Sequence, residues 1–415
     1  MVSLVMLAIL AGCAVGLYLK GTLAQGIAMI FNALVAGFVA FGFFEIASKY
    51  LINYSPGLAP WAPMICFLLL LVLAFAILQA VQMQINKEKI DLGTMPERIG
   101  RPVAGVVLGY VVTGYVLVAA AMAPLPSQYP YPRFEARNPN ASSPKKAMLS
   151  PDGFVTGLFG TVSKGSLGPI RAPKSFALLH AGYVDQLHLN RLQAKEVPLM
   201  TSSPALDTPR KAGVWFAPDS LRDTEGKPVA PPAGTSLMLV RAQIKKSAVK
   251  FTLSQIRLVC GLKGVPGQPL AGQGQAAYPL GYLGAGGHLE RKSLAEIVDI
   301  SKAQGDPITM DLGFAVPTNL TPVLLEFKRN NVVQVSAPAT PEDAPPATAF
   351  GSAAPQPQAA ATEPPAQPAG VEPASQSPAQ PAPASGANDR AKNRGKRRGL
   401  SDISKSVVSP AVPEN

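Results

Sequence analysis

The chain is poor in the residues that most often carry chemistry. Its 415 residues include three cysteines and three histidines. Cys13, Cys66 and Cys260 are an odd, scattered set with no C-x-x-C pair, which excludes a disulfide framework and a cysteine-based metal site. His180, His188 and His288 stand alone, without a partner at ligand spacing, so neither a metal nor a cofactor site is expected. A phosphate-binding loop is missing too. In GLFGTVSKGS, Lys164 precedes Gly165, and the spacing G-x-x-x-x-G-K-[ST] is not met. Basic residues are not interleaved with aromatics. The net charge of +12 therefore reads as solubility, topology and attraction to anionic lipid rather than nucleic-acid binding.

What is abundant is apolar sequence, and it is concentrated. Four runs cover residues 2–19, 23–47, 60–81 and 102–124. A bilayer core of ~30 Å needs about 20 apolar residues in a helix, and each run is close to that. Helices close their own backbone hydrogen bonds in lipid, where an open strand cannot. Residues 1–124 are therefore expected to form a four-helix membrane bundle in contact with the lipid bilayer. The first run has no basic stretch before it, and Lys20 comes after it, so it reads as a span rather than a removable leader.

Small residues four apart mark the expected helix-packing faces: Gly12 and Gly16, Ala36 and Ala40, Gly105 and Gly109, with Gly114 beyond. Polar residues inside the runs are few. Asn32 and Glu45 form the possible intramembrane polar site, with Glu45 expected at the interface and paired to Lys49. A pump needs more than one buried acid, and no other acid lies in the runs. Lys20, Lys87, Lys89, Arg98 and Arg101 lie in two loops at one end, whereas the loop between runs two and three holds only Lys49. The positive-inside rule then puts both termini outside.

A glycine-rich turn (Gly16, Lys20, Gly21), a charged loop ending Arg98-Ile99-Gly100 and a last helix with Gly105 and Gly109 give this stretch a recognisable order. It resembles the colicin V production (CvpA) family of bacterial inner-membrane proteins. In that family an acid–Arg pair precedes a glycine-rich last helix, and Glu97, Arg98 and Gly100 stand at that place. Ala123-Pro124-Leu125-Pro126 fits members with an outer extension. The acid often found in the family's first helix is missing, since Ser3 is the polar residue early in that run. The resemblance implies a setting, the bacterial inner membrane and toxin production, more than a reaction.

Residues 125–211 read as a proline-rich linker with one short amphipathic helix, whose apolar face is Phe154, Leu158, Phe159 and Val162. From 212 to 336 short strands alternate with turns, which predicts an antiparallel β-sandwich. In the run 234–246, Met238, Val240, Ala242 and Ile244 form the cleaner core face. The apolar positions Phe251, Leu253, Ile256 and Leu258, then Phe314, Val316 and Pro317, then Leu325, Phe327 and Lys328 are similar to extracytoplasmic immunoglobulin-like domains of the DUF4352 type. Asp306 and Asp311, and Glu290 and Glu296, are carboxylate pairs around strands and read as solvated edges. From 337 to 415 the chain is rich in Pro, Ala, Gln and Ser and is expected to be disordered. Its basic cluster (Arg390, Lys392, Arg394, Lys396, Arg397, Arg398) fits anionic lipid or cell-wall polymer.

The expected function is a non-enzymatic scaffold or sensor in the inner membrane, with its β region outside. Its partners would be other envelope proteins or a second copy of itself. The alternative is a small transport or channel component using the polar residues of the second helix.

Overall fold

The computed structural model describes residues 2–85, 93–164, 175–262, 272–301 and 303–350. All of them belong to one compact unit, 1–358. Lys87, Lys89, the glycine-rich turn 263–271 and the basic cluster at 390–398 lie outside the described residues.

Four helices open the chain: α1 (Val2–Lys20), α2 (Leu23–Tyr54), α3 (Ala62–Ile85) and α4 (Thr94–Met122). Each is long and apolar enough to cross a membrane. The turn between α1 and α2 is tight because Thr22 caps α2 in a capping box: Gln25 N donates to Thr22 Oγ1 at 3.2 Å, and Gln25 Oε1 accepts from Thr22 N at 3.1 Å. α2 stops at Ser55-Pro56, where proline cannot continue the ladder.

α4 is the centre of the bundle. Of its apolar window 61% is buried, against 11% for α1 and α3. Glycine makes that possible on one face. A Cβ at Gly105 would lie 2.5 Å from Ala14 Cα, and one at Gly109 would lie 2.9 Å from Leu10 Cα. The backbones of α1 and α4 therefore touch where those glycines sit. Gly114 faces a later segment, 2.5 Å from Pro151 O by the same measure, and Ala36 and Ala40 are fully buried in α2. Gly12 and Gly16 are a correction. A Cβ at either would meet nothing within 4 Å, because α1 turns its Leu10–Ala14 side to α4; Gly16 instead borders a cavity beside Gln79 and Gln82. The outer faces carry Leu4, Phe31, Phe43, Leu69, Val72 and Val103, all exposed. Tyr50, Tyr54 and Trp61 are exposed at one end, the position where amphipathic rings favour a membrane–water boundary.

Residues 125–211 are not a free linker. They form a middle layer with α5 (Pro151–Ser163), α6 (Phe176–Leu179) and α7 (Tyr183–Leu189). The buried face of α5 is Asp152, Val155, Thr156 and Phe159, while Phe154 is 44% exposed. The expected apolar face is thus rotated, because α5 docks Pro151 and Val155 against Gly114. Aromatic rings weld the two layers. Phe41 stacks on Phe159 at 5.2 Å and meets Phe67 edge-on at 4.9 Å, and Phe176 meets Tyr183 at 5.2 Å.

The strands are β1 (Leu206–Asp207), β2 (Val214–Phe216), β3 (Thr235–Ile244), β4 (Lys250–Thr252), β5 (Ile256–Leu262), β6 (Gln275–Ala277), β7 (Pro279–Leu283), β8 (Leu289–Arg291), β9 (Ile297–Asp299), β10 (Ile308–Pro317), β11 (Leu320–Phe327) and β12 (Asn331–Gln334). The larger sheet runs β1-β3-β10-β7-β8, with β2 also on β3, and the smaller runs β12-β11-β5-β6. β4 pairs with β9, and every strand pairing named here is antiparallel. Met238, Val240, Ala242 and Ile244 of β3 share one core with Leu258 and Cys260 of β5 and with Leu325 and Phe327 of β11. The other face of β3 is buried as well. Leu237 and Leu239 pack with Trp215, Leu221, Leu283 and Leu289.

The boundary expected at 337 moves outward. Ala339 pairs with Trp215 as a parallel bridge, and Ala339 N donates to Val214 O at 2.9 Å. Phe350 N donates to Leu283 O at 2.9 Å. Arg241 donates to Pro346 O at 2.6 Å, and Thr348 N donates to Asp311 Oδ2 at 2.8 Å. The segment 337–350 is a strap held by side chains that composition alone does not reveal.

Candidate functional site

The last turns of α2 stand against the middle layer and the smaller sheet. With 32 residues, α2 is longer than the ~20 that a bilayer core needs, so its C-terminal turns lie beside the other layers. A cavity of about 560 Å³ opens there, lined from α2, α6, the loop 200–204 and the β11–β12 turn.

A chain of polar side chains starts in this cavity and ends inside the sheet. Glu45 Oε1 lies 2.8 Å from His180 Nε2. His180 Nδ1 lies 3.3 Å from Gln186 Oε1. Gln186 Nε2 donates to Glu326 Oε1. Glu326 Oε2 accepts from Arg257 at 2.8 and 2.6 Å. Arg257 then donates to the carbonyls of Ala181 at 2.7 Å and Leu179 at 2.6 Å. The orientation of the amide follows from its neighbours. An ionised carboxylate only accepts, so the nitrogen of Gln186 faces Glu326 and its oxygen faces the ring. Both nitrogens of His180 then face acceptors. Glu45 is thus engaged by His180 rather than Lys49, which corrects the expected pair. Lys49 is exposed and lines the same cavity without forming an ion pair with Glu45. The Glu45 side chain keeps 44% exposure, towards the cavity, while that of His180 keeps 8%.

The far wall of the cavity is a strained turn. Lys328 (φ 48°) and Arg329 (φ 61°) occupy left-handed backbone, a conformation that favours Gly or Asn. Lys328 is buried, and its ammonium donates to Ala248 O at 3.1 Å and Lys250 O at 2.6 Å. Burial pushes its pKa down to about 8. Asn330 Nδ2 donates to Thr201 O at 2.6 Å, and Asn331 Nδ2 donates to Thr201 Oγ1 at 2.8 Å. The turn is held from three sides and presents Arg329 to the cavity beside Tyr183. Burial pushes the Tyr183 hydroxyl up, so it stays protonated.

A second anchor lies behind this site. Arg191 is fully buried, and its guanidinium donates to Tyr129 O at 2.8 Å and Leu125 O at 3.4 Å, and reaches Ala120 O and Ala123 O at 3.5 Å. It gathers the unpaired carbonyls at the C-terminus of α4, where a cation also complements the helix dipole. Burial lowers its pKa to about 10. His188 beside it is driven down to about 2, first by burial and then by Arg191 and Arg133. Asp152, Tyr131, Arg133 and Asp185 complete the layer. Tyr131 donates to Asp152, and Arg133 bonds Tyr131 at 2.9 Å and Asp185 at 2.5 Å.

The remaining polar positions are dispersed. Asn32 Nδ2 donates to Gln82 Oε1 at 2.6 Å and reaches Gln79 Oε1 at 3.4 Å, tying α2 to α3. It lies more than three turns from Glu45. The two therefore do not form one site. Glu97 accepts from Leu23 N at 3.0 Å and pairs with Arg101 at 2.6 Å, so it neutralises the N-terminus of α2 from α4. Its partner is Arg101 and not Arg98, which is exposed. Gly100 lies under the Leu23 side chain.

Asp311 is the sharpest departure from a solvated edge. It is fully buried and takes a two-pronged bond from Arg241 at 2.7 and 2.7 Å. Asp306 accepts from Lys246 N at 2.9 Å. Glu290 and Glu296 lie 3.6 and 3.2 Å from Lys292. Among the described residues no group of His, Cys, Asp and Glu is arranged to hold a metal ion.

Arg257, Glu326, Gln186 and Arg191 were not singled out by sequence. Two of them carried a signal. Arg257 and Glu326 are single charges inside apolar strands, and they are register partners across β5 and β11. Arg241 and Asp311 are register partners across β3 and β10 in the same way. No family model, curated protein or solved structure matches the chain.

Proposed function

We propose that this chain is a non-enzymatic scaffold or sensor of the bacterial inner membrane, of the colicin V production type, whose extracytoplasmic β region reports to its membrane helices. The observation that carries the reading is the polar chain from Glu45 on α2 to Arg257 in the smaller sheet. A mere anchor has no use for a directional link across three layers that is buried from His180 inward, whereas a sensor needs differential contacts between a ligand-facing layer and a membrane-facing one. The two sheets with a shared core are read as an immunoglobulin-like sandwich. Its outward placement is supported by Lys20, Arg98 and Arg101, which sit at the opposite end of the bundle. Partners of this reading are the bilayer, other envelope proteins or a second copy, with the basic tail on anionic lipid or cell-wall polymer. Reporter fusions at residues 200 and 400 test the placement, and a cytoplasmic signal from either overturns it.

The rival is a small transport or channel component. One observation favours it: an open cavity of about 470 Å³ bordered by α1, α2 and α3, near Gln79, Gln82 and Lys20. It is not continuous with Glu45 through any polar contact among the described residues. Flux in proteoliposomes that vanishes on Glu45→Gln would replace the scaffold reading with the transport one.

A further inference from the structure

The cavity under the β11–β12 turn has an uneven chemistry. Its two carboxylates are already engaged, Glu45 by His180 and Glu326 by Arg257. Its two cations, Lys49 from α2 and Arg329 from the turn, make no ion pair within 4.0 Å among the described residues, although both lie near enough to Glu45 to feel its charge and Arg329 lies beside the Tyr183 hydroxyl. They converge on one space from two different layers. Beneath them the wall is apolar, built by Phe44, Ile52 and Pro63. The volume of about 560 Å³ falls inside the ~300–1,000 Å³ range usual for ligand sites. Exposed Tyr50, Tyr54 and Trp61 surround this end of the helices, the depth at which lipid headgroups lie.

The strain at Arg329 adds an independent argument. A residue at φ 61° is disfavoured unless it is glycine, asparagine or aspartate, and Lys328 before it is disfavoured at φ 48° as well. A turn selected for stability alone would carry glycine or asparagine there. This one keeps a guanidinium in the strained position, and the buried Lys328 ammonium fixes the direction in which it points.

We infer that this cavity binds an amphiphile with an anionic head, its acidic group held by Lys49 and Arg329 and its apolar body laid along Phe44, Ile52 and Pro63. The shared chemistry is a phosphate or similar oxyanion, which a guanidinium binds through paired donors. Ser202 and Ser203 on the loop opposite supply further hydroxyls to such a head. The inference rests on the sensor reading for the position of the cavity at headgroup depth. The occupant would sit beside the Glu45–His180 bond, where the polar chain begins.

The test uses the full chain, stripped of lipid in detergent and titrated in native mass spectrometry with phosphatidylglycerol, phosphatidylcholine or inorganic phosphate. Retention of phosphatidylglycerol at least tenfold above phosphatidylcholine is expected. Arg329→Gly and Lys49→Gln should each lower it about tenfold, and Arg329→Lys should restore part of it. Arg329→Gly also relieves the turn, so its thermal midpoint should hold or rise, and its loss of ligand is then no folding defect. Equal retention of the two lipids, or no loss in either variant, overturns the site. Displacement of lipid by inorganic phosphate at matched concentration assigns the cations to a free anion and overturns the amphiphile. If lipid selectivity fails while the Glu45-to-Glu326 coupling described below stands, the ligand is wrong and the sensor reading survives. Loss of that coupling with selectivity intact gives the reverse.

Discussion

The bundle and the β region are both built on buried polar groups, but they satisfy them by different means. In the bundle several polar side chains serve a helix end or a neighbouring helix. Glu97 caps α2, Asn32 bonds two glutamines, and Arg191 gathers the last carbonyls of α4. In the sheets the device is a cross-strand ion pair, Arg241 with Asp311 and Arg257 with Glu326. The difference follows from the backbone. A helix leaves donors and acceptors unpaired only at its termini, while a sheet brings two strands into register and can set opposite charges face to face. Both devices tie distant parts of the sequence together, and the two ion pairs also reach a third segment each. Arg241–Asp311 holds the strap 337–350, and Arg257–Glu326 holds the middle layer.

The contrast breaks most visibly at Arg241. Arg241→Met leaves Asp311 buried without its partner, a cost of roughly 3–5 kcal/mol. Adding Asp311→Leu should recover most of that loss, because removing both charges removes the unpaired one. Chemical unfolding of the full chain in detergent measures both. A double variant no better than the single would mean that the strap, and not the charge, sets the stability.

Acid sharpens the comparison next. The folded pKa of His188 is near 2 against an ordinary value of 6.5. The folded state therefore holds the ring neutral while the unfolded chain takes up a proton below 6.5. Its stabilising contribution is complete above 6.5 and is lost as pH falls through that value towards 2. By pH 4.5 the loss is ~3 kcal/mol. The thermal midpoint should fall less steeply with acid in His188→Leu than in the parent, and equal slopes would contradict the assignment.

A smaller effect separates the two glycine sets. Gly105→Val forces a side chain into the α1 backbone and should cost about 1–3 kcal/mol. Gly16→Val meets open space and should change the thermal midpoint little. Smallest of all, Arg101→Ala should cost about 1 kcal/mol through Glu97, and Arg98→Ala nothing measurable.

These predictions also show where sequence was informative. The four helices were legible because ~20-residue apolar runs admit few other structures. The core face of β3 was legible from alternation at Met238, Val240, Ala242 and Ile244. Ala36, Ala40, Gly105 and Gly109 were found because small residues four apart share a face, but the same rule also selected Gly12 and Gly16. Spacing says which residues are together on a helix and not which neighbour they meet. The middle layer was hidden because proline-rich composition resembles an extended linker, although Phe159, Phe176 and Tyr183 pack into the bundle core and Tyr131 and Phe134 are buried beside it. The polar chain was hidden for a deeper reason. Glu45, the His180–Gln186 pair and Glu326 are far apart in sequence, and the lone charge of Glu326 in its apolar strand does not say that the chain of bonds ends at Glu45.

The central claim is that this polar chain couples the membrane helices to the sheet. A double-mutant cycle on Glu45→Gln and Glu326→Gln, read by chemical unfolding of the full chain, tests it most directly. The two residues share no direct bond, so independent sites would add within about 0.3–0.5 kcal/mol. The account predicts a coupling energy above that, within ~0.5–3 kcal/mol, that disappears when Gln186→Leu cuts the chain. Additive effects with Gln186 in place would contradict it.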